Sequence, residues 1–107
     1  RTKKFAVRIV KLFSGLRKIN VDYVLARQLL RSGTSIGANV REGKASSTKR
    51  ELIRYYEIAL RSANETEYWM DIITEGYDLK REFFENDKKE LIEISKVIAT
   101  IIINLKK

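Results

Sequence analysis

"TKRELIRYYEIALRSANETEYWMDIITEGY", Thr48 to Tyr77, decides the fold. Leu52, Tyr56, Ala59, Ala63, Thr66, Met70, Ile73 and Tyr77 follow one another at alternating steps of four and three. That spacing keeps one stripe of a helix facing a partner helix, the seam of a bundle, and it holds for almost four heptads. Thr48 and Glu51 have the capping-box spacing, Thr48 accepting from the first turn and Glu51 reaching back, so the helix starts there. Gly76 marks the weak point near its end.

Working outward, "KASS" supplies the turn before this helix. A second helix runs from a cap at Asn20 or Asp22 to about Gly43. Its inner row is Ala26, Leu30, Gly33, Gly37 and Val40, with Leu29 and Ile36 beside it. Glycine inside a helix costs about 1 kcal/mol relative to alanine. Two of them four residues apart point to close approach by a neighbouring backbone. The first helix covers Lys3 to Lys18, with Phe5, Ile9, Leu12, Phe13 and Leu16 on one face and Lys4, Arg8, Lys11 and Lys18 on the other. Asp87 with Glu90 opens a fourth helix whose seam is Leu91, Ile94, Ile98, Ile101 and Leu105. Four amphipathic helices with short links predict an all-α, antiparallel up-and-down four-helix bundle, one domain over residues 1–107. At this length folding buries roughly two thirds of the unfolded surface.

The composition narrows the chemistry. The chain has no cysteine and no histidine, which removes disulfides, thiolate nucleophiles, zinc ligation through either residue and the commonest base at neutral pH. With no proline and five glycines, 44% apolar and 34% charged residues suit long helices. No metal and no cofactor is expected. The apolar run "VIATIIINL", Val97 to Leu105, is nine residues, against about 20 for a bilayer span. It reads as a packed helix, with no membrane partner and the cytoplasm as the expected location.

That fourth helix is more apolar than one bundle needs. Val97, Ile98, Ala99, Ile101, Ile102 and Ile103 cover roughly 240° of its circumference, against roughly 100° for a surface helix. Ile53, Tyr55, Leu60 and Trp69 flank the third helix likewise. Another copy of the chain is the simplest cover, with Trp69, Ile98 and Ile102 at the expected homo-oligomer interface.

"SIGANVREG", Ser35 to Gly43, would be the natural place for a catalytic or ligand loop. A serine nucleophile needs a base, and no histidine exists to supply one. The architectural reading is coherent: Gly33 and Gly37 permit close helix contact, Gly43 takes the left-handed conformation that ends a helix, and Asn39 with Glu42 caps or crosslinks the corner. Pairing the second and third helices about Ala45 sets Arg31 opposite Ala59 to Ser62 and Arg27 within reach of Glu65, so Glu65 meets an arginine across the interface.

The formal net charge is +8, with 22 Lys and Arg against 14 Asp and Glu. Residues 1–50 hold 13 Lys and Arg against Asp22 and Glu42, a balance of +11; residues 51–107 hold nine against 12, a balance of −3. The basic half points to a polyanion such as RNA or DNA, contacted through its backbone. Candidates are Lys4, Arg8, Lys11 and Lys18 on the first helix with Arg41, Lys44, Lys49 and Arg50 around the next turn. Tyr68 stands opposite the seam, where it could stack on a base. The alternative is a scaffold that binds another protein, the basic helices lying against acidic ones for assembly.

"RQLLRSGTSIGANVREG" followed by "IRYYEIALRSANETE" resembles the four-helix-bundle family encoded in intervening sequences of bacterial large-subunit ribosomal RNA genes. The family pattern falls here on Arg31, Ser32, Ser35, Ile36, Asn39, Glu42 and Gly43, then Ala59, Leu60, Ser62 and Glu65. Arg41 and Arg61 replace residues that are more often small in the family, and its prolines around the second helix are absent. The resemblance implies a homopentamer, no enzymatic activity, and kinship with the basic, nucleic-acid-associated accessory proteins of diversity-generating retroelements.

Overall fold

The computed structural model describes residues 1–107 and has four helices: α1 (Thr2–Lys18), α2 (Tyr23–Ala45), α3 (Lys49–Gly76) and α4 (Glu85–Leu105), with a short 3-10 turn at Arg81–Phe84 before α4. Contacts between neighbours run in opposite directions along the chain. Gly33 meets Ile9 and Gly37 meets Thr2 between α1 and α2; Gly43 meets Tyr56 and Ser32 meets Thr66 between α2 and α3. Asp71 pairs with Lys88 and Glu57 with Lys106 between α3 and α4. This is the antiparallel four-helix bundle that the apolar spacing predicts, drawn out to 44 × 20 × 19 Å.

The buried side of each helix follows its spacing. Phe5, Ile9 and Leu16 of α1 meet Ala26, Leu29, Ile36 and Val40 of α2, Ala59, Ala63, Met70 and Ile73 of α3, and Leu91, Ile94, Ile98 and Ile102 of α4. Burying each large aliphatic side chain contributes about 1.5–3 kcal/mol before entropy is charged against it. Two rows are rotated from expectation. In α2 the centre of the face runs through Leu29, Ser32 and Ile36, leaving Leu30 and Gly37 at its edge. In α4 Ile102 is buried where Ile101 was expected, because α4 keeps 3.6 residues per turn and the seam drifts by one position along its length.

The ends of the helices differ more. Asp22 caps α2, accepting from the Val24 amide at 2.9 Å, and Thr48 caps α3, accepting from Glu51 at 3.1 Å. Gly43 is not the left-handed terminator: α2 continues to Ala45, and no glycine has positive φ. The left-handed residues are Asn20 (φ 65°) and Asp78 (φ 52°), which end α1 and α3. At each, the following amide reaches back five residues, Val21 to the Leu16 carbonyl at 3.0 Å and Leu79 to Thr74 at 2.9 Å. These are Schellman closures, with a short polar side chain tolerating the backbone that glycine usually takes. Val21 is buried and Leu79 half-buried, so each closure also presses an apolar residue inward.

Helix α4 starts two residues before Asp87, out of the 3-10 turn whose Phe84 is driven into the core. Asp87 and Glu90 are not its caps; they reach sideways to α1. Arg8 donates to Asp87 through Nε at 3.2 Å and Nη2 at 2.8 Å, and Arg1 donates to Glu90 at 2.7 Å. No helix is long and apolar enough to cross a membrane.

Candidate functional site

The α2–α3 interface carries the polar residues of the "SIGANVREG" segment and its partners. Thr66 donates to the Ser62 carbonyl at 2.7 Å, and its hydroxyl lies 3.0 Å from that of fully buried Ser32. One turn along, the Ser35 hydroxyl accepts from Ser62 at 3.1 Å and from Asn39 Nδ2 at 3.0 Å. Asn39 also donates to the Ser35 carbonyl at 2.8 Å. On the outer edge Arg31 pairs with Glu65, and the same carboxylate accepts from Trp69 Nε1 at 2.9 Å. No buried side-chain polar atom lacks a partner. The arginine that meets Glu65 is Arg31, not Arg27, because α2 and α3 pair about a centre slightly farther along than Ala45. Asn39 reaches α3 only through Ser35, and Glu42 is exposed, with no side-chain hydrogen bond or ion pair, so those two do not crosslink the corner directly.

Glycine completes this fit. A Cβ at Gly33 would stand 2.8 Å from Ile9, and one at Gly43 2.9 Å from the Tyr56 ring. One at Gly37 would stand 3.3 Å from the Thr2 carbonyl, the close backbone approach that the Gly33/Gly37 spacing predicts. The buried polar groups of the segment are thus all satisfied by neighbours, while Arg41 and Glu42 stand exposed and Gly37 to Arg41 border open space on the α1 side.

Open, charged surface lies instead at one end of the bundle. The antiparallel course brings together the first turn of α1 (residues 1–4), the α2–α3 corner (41–54) and the end of α4 (106–107). These segments hold ten Lys and Arg against Glu42 and Glu51, and with Glu57 and Glu90, which reach Lys106 and Arg1 from α3 and α4, the balance at this end is +6. The rest of the chain holds twelve Lys and Arg against ten Asp and Glu, so it is nearly neutral and most of the net charge belongs to this end. Arg1 and Lys106 are paired with Glu90 and Glu57. Lys3, Lys4, Arg41, Lys44, Lys49, Arg50, Arg54 and Lys107 are exposed and make no ion pair. Arg1, Lys3, Arg41 and Lys44 border a shallow cleft of about 410 Å³ between α1 and α2. Lys49, Arg50 and Arg54 flank another of about 590 Å³ on α3.

The candidates therefore separate. Lys4, Arg41, Lys44, Lys49 and Arg50 share the basic end. Lys11 and Lys18 are exposed on the nearly neutral remainder, Lys18 at the opposite end of α1. Arg8 is half-buried and bound to Asp87. Lys3, Arg54 and Lys107 join the end without having stood out in the sequence. Their signal was topological: three segments far apart in sequence become neighbours only once the antiparallel order is assumed.

The Glu90 carboxyl is held below the usual range by its hydrogen bond from Arg1, and the Arg1 guanidinium is raised by the same contact. No group of three or more acidic side chains is placed to share a metal ion.

The second open surface is an apolar groove of about 660 Å³ between α3 and α4, lined by Leu60, Ala63, Leu91, Ile92, Ala99 and Ile103 and edged by Arg61, Glu67 and Lys96. Ile103 is 61% exposed and Ile92 43%. Of the residues expected at a subunit interface, Ile98 lies inside the bundle on the stripe of α4 that faces the other helices, and Ile102, 7% exposed, also lines this groove. Trp69 is half-buried and held by Glu65.

No curated protein matches the chain. Among solved structures, it is similar to a protein of unknown function from the S23 ribosomal protein family of Bacteroides thetaiotaomicron, with 40% identity over 94% of each chain and a TM-score of 0.89. The model of the 23S rRNA-intervening sequence protein family matches residues 1–100. With the bundle and a match over nearly the whole length, this chain belongs to the 23S rRNA-intervening sequence protein family.

Proposed function

We propose that this protein is a non-enzymatic, oligomeric helical bundle of the cytoplasm that holds RNA or DNA by the phosphate backbone, with little sequence preference. The observation that carries the reading is the +6 balance at one end of an otherwise nearly neutral molecule. Lys and Arg there neutralise phosphates and release counterions without reading bases. Copies associate through the α3–α4 groove, whose apolar residues gain a cover, and the family resemblance makes a closed ring of five the expected assembly. Repeating the basic end in every copy lets several modest contacts act on one strand.

The test is binding of labelled RNA and DNA across a salt series. Log affinity should fall linearly with log salt, and changing Arg41, Lys44 and Arg50 to Gln together should flatten the slope by about 0.9 for each phosphate no longer neutralised. Helix content should hardly move, since all three side chains are exposed. An assembled protein that retains neither nucleic acid at low salt sinks the proposal. That result would leave the other reading, a scaffold for a second protein, for which the open α3–α4 groove is the supporting observation.

A further inference from the structure

The basic end and the exposed aromatic residues occupy different parts of the surface, and that separation bears on what form of nucleic acid fits. Proteins that hold unpaired strands combine a basic track with aromatic rings on which bases stack, each stacked base being worth roughly five- to 150-fold in affinity. Here the exposed rings, Tyr23, Tyr68, Tyr77 and Phe83, all belong to the nearly neutral remainder. Tyr68 stands mid-way along α3 in edge contact with Trp69, on a stretch carrying Glu65, Glu67 and Asp71. Tyr77 and Phe83 border the cleft at the opposite end. Of the aromatics beside the basic end, Tyr56 is 5% exposed against Gly43 and Tyr55 is half-buried, with its Cβ on the same glycine.

What the end does present is cations on three helices. Lys3 and Lys4 come from α1, Arg41 and Lys44 from α2, and Lys49, Arg50 and Arg54 from α3. They spread over a bundle end whose cross-section measures 20 × 19 Å. A surface that wide, charged and without exposed rings suits two rows of phosphates with the bases paired away from it, whose charge density exceeds that of a single strand.

Resting on the nucleic-acid reading above, we infer that the basic end is a docking surface for the backbone of a double helix in preference to unpaired strands. The test uses the assembled full chain, a labelled blunt RNA duplex of about two helical turns, and one of its strands, of a sequence that does not fold on itself. At equal salt the duplex should bind at least about fivefold more tightly, with a log–log salt slope near 0.9 per phosphate against about 0.7 for the strand. Lys44→Gln with Arg50→Gln should weaken the duplex, and Tyr68→Ala should leave both affinities in place. Equal or tighter binding of the strand, or a loss of fivefold or more in strand binding on Tyr68→Ala, overturns the inference while leaving nucleic-acid binding intact. Retention of neither form overturns both.

Discussion

The two sides of α3 are built differently. Toward α2 it meets glycines and hydroxyls: Tyr56 lies on Gly43, Ser62 and Thr66 face Ser35 and Ser32, and every polar atom is matched. Toward α4 it meets branched aliphatics, and the join stays open as a 660 Å³ groove with Ile92 and Ile103 exposed at its edge. A glycine-lined, hydrogen-bonded contact tolerates one spacing and one register, because added bulk collides and a shifted hydroxyl loses its partner. An aliphatic contact accepts several arrangements and gains from any apolar cover. One side of α3 is thus completed within the chain, and the other is left in the form a subunit contact uses.

Four changes would break or sharpen that contrast. Gly43→Leu should be the most damaging, since the first added carbon already stands 2.9 Å from the buried Tyr56 ring of α3. Overpacking of that kind costs about 1–3 kcal/mol or more, a fall in Tm of roughly 4–8 °C per kcal/mol in a domain this size, read by thermal denaturation. Thr66→Val should come next, at about 0.5–1.5 kcal/mol, because it removes the hydrogen bond to the buried Ser32 hydroxyl, which keeps only its 3.3 Å donation to the Leu29 carbonyl. Adding Ser32→Ala to it should cost less than Ser32→Ala costs in the parent; losses that simply add would show that the pair is not coupled. Ile103→Glu should leave the melting of the individual chain nearly unchanged and lower the mass of the assembly by light scattering. A parent protein that is already monomeric at micromolar concentration removes the subunit role of the groove.

The smallest effect belongs to Glu90. Its folded pKa is depressed by the Arg1 hydrogen bond, so its contribution is present above the unfolded value and lost as pH falls through the lowered one. Both partners are solvated, so the acid limb of a stability–pH curve should be almost the same for Glu90→Gln as for the parent.

The helices were legible because Leu52 to Tyr77 repeat at bundle spacing and because Asp22 and Thr48 are cap residues whose oxygens reach the first free amides. The ends of α1 and α3 were not, since Asn20 and Asp78 adopt a backbone that their sequence neighbours do not announce, and Gly43 drew that role instead. Its real constraint, the Tyr56 ring, lies thirteen residues away and appears only when α2 and α3 are set side by side. Asp87 misled for a related reason: a carboxylate at a helix start reads as a cap, but the nearby Arg8 guanidinium is the stronger partner. Of the basic residues, the half-chain balance located the charge on the first fifty positions, whereas the fold gathers it from both termini and the central corner.

That gathering gives the molecule a direction. A body 44 Å long with most of its net positive charge at one tip is strongly dipolar, even though the rest of the chain carries nearly equal numbers of both signs. In the field of a polyanion it experiences a torque before it makes contact, and it arrives tip first. On the proposed reading, encounters are productive more often than random tumbling would allow, and added salt slows arrival as well as loosening the hold.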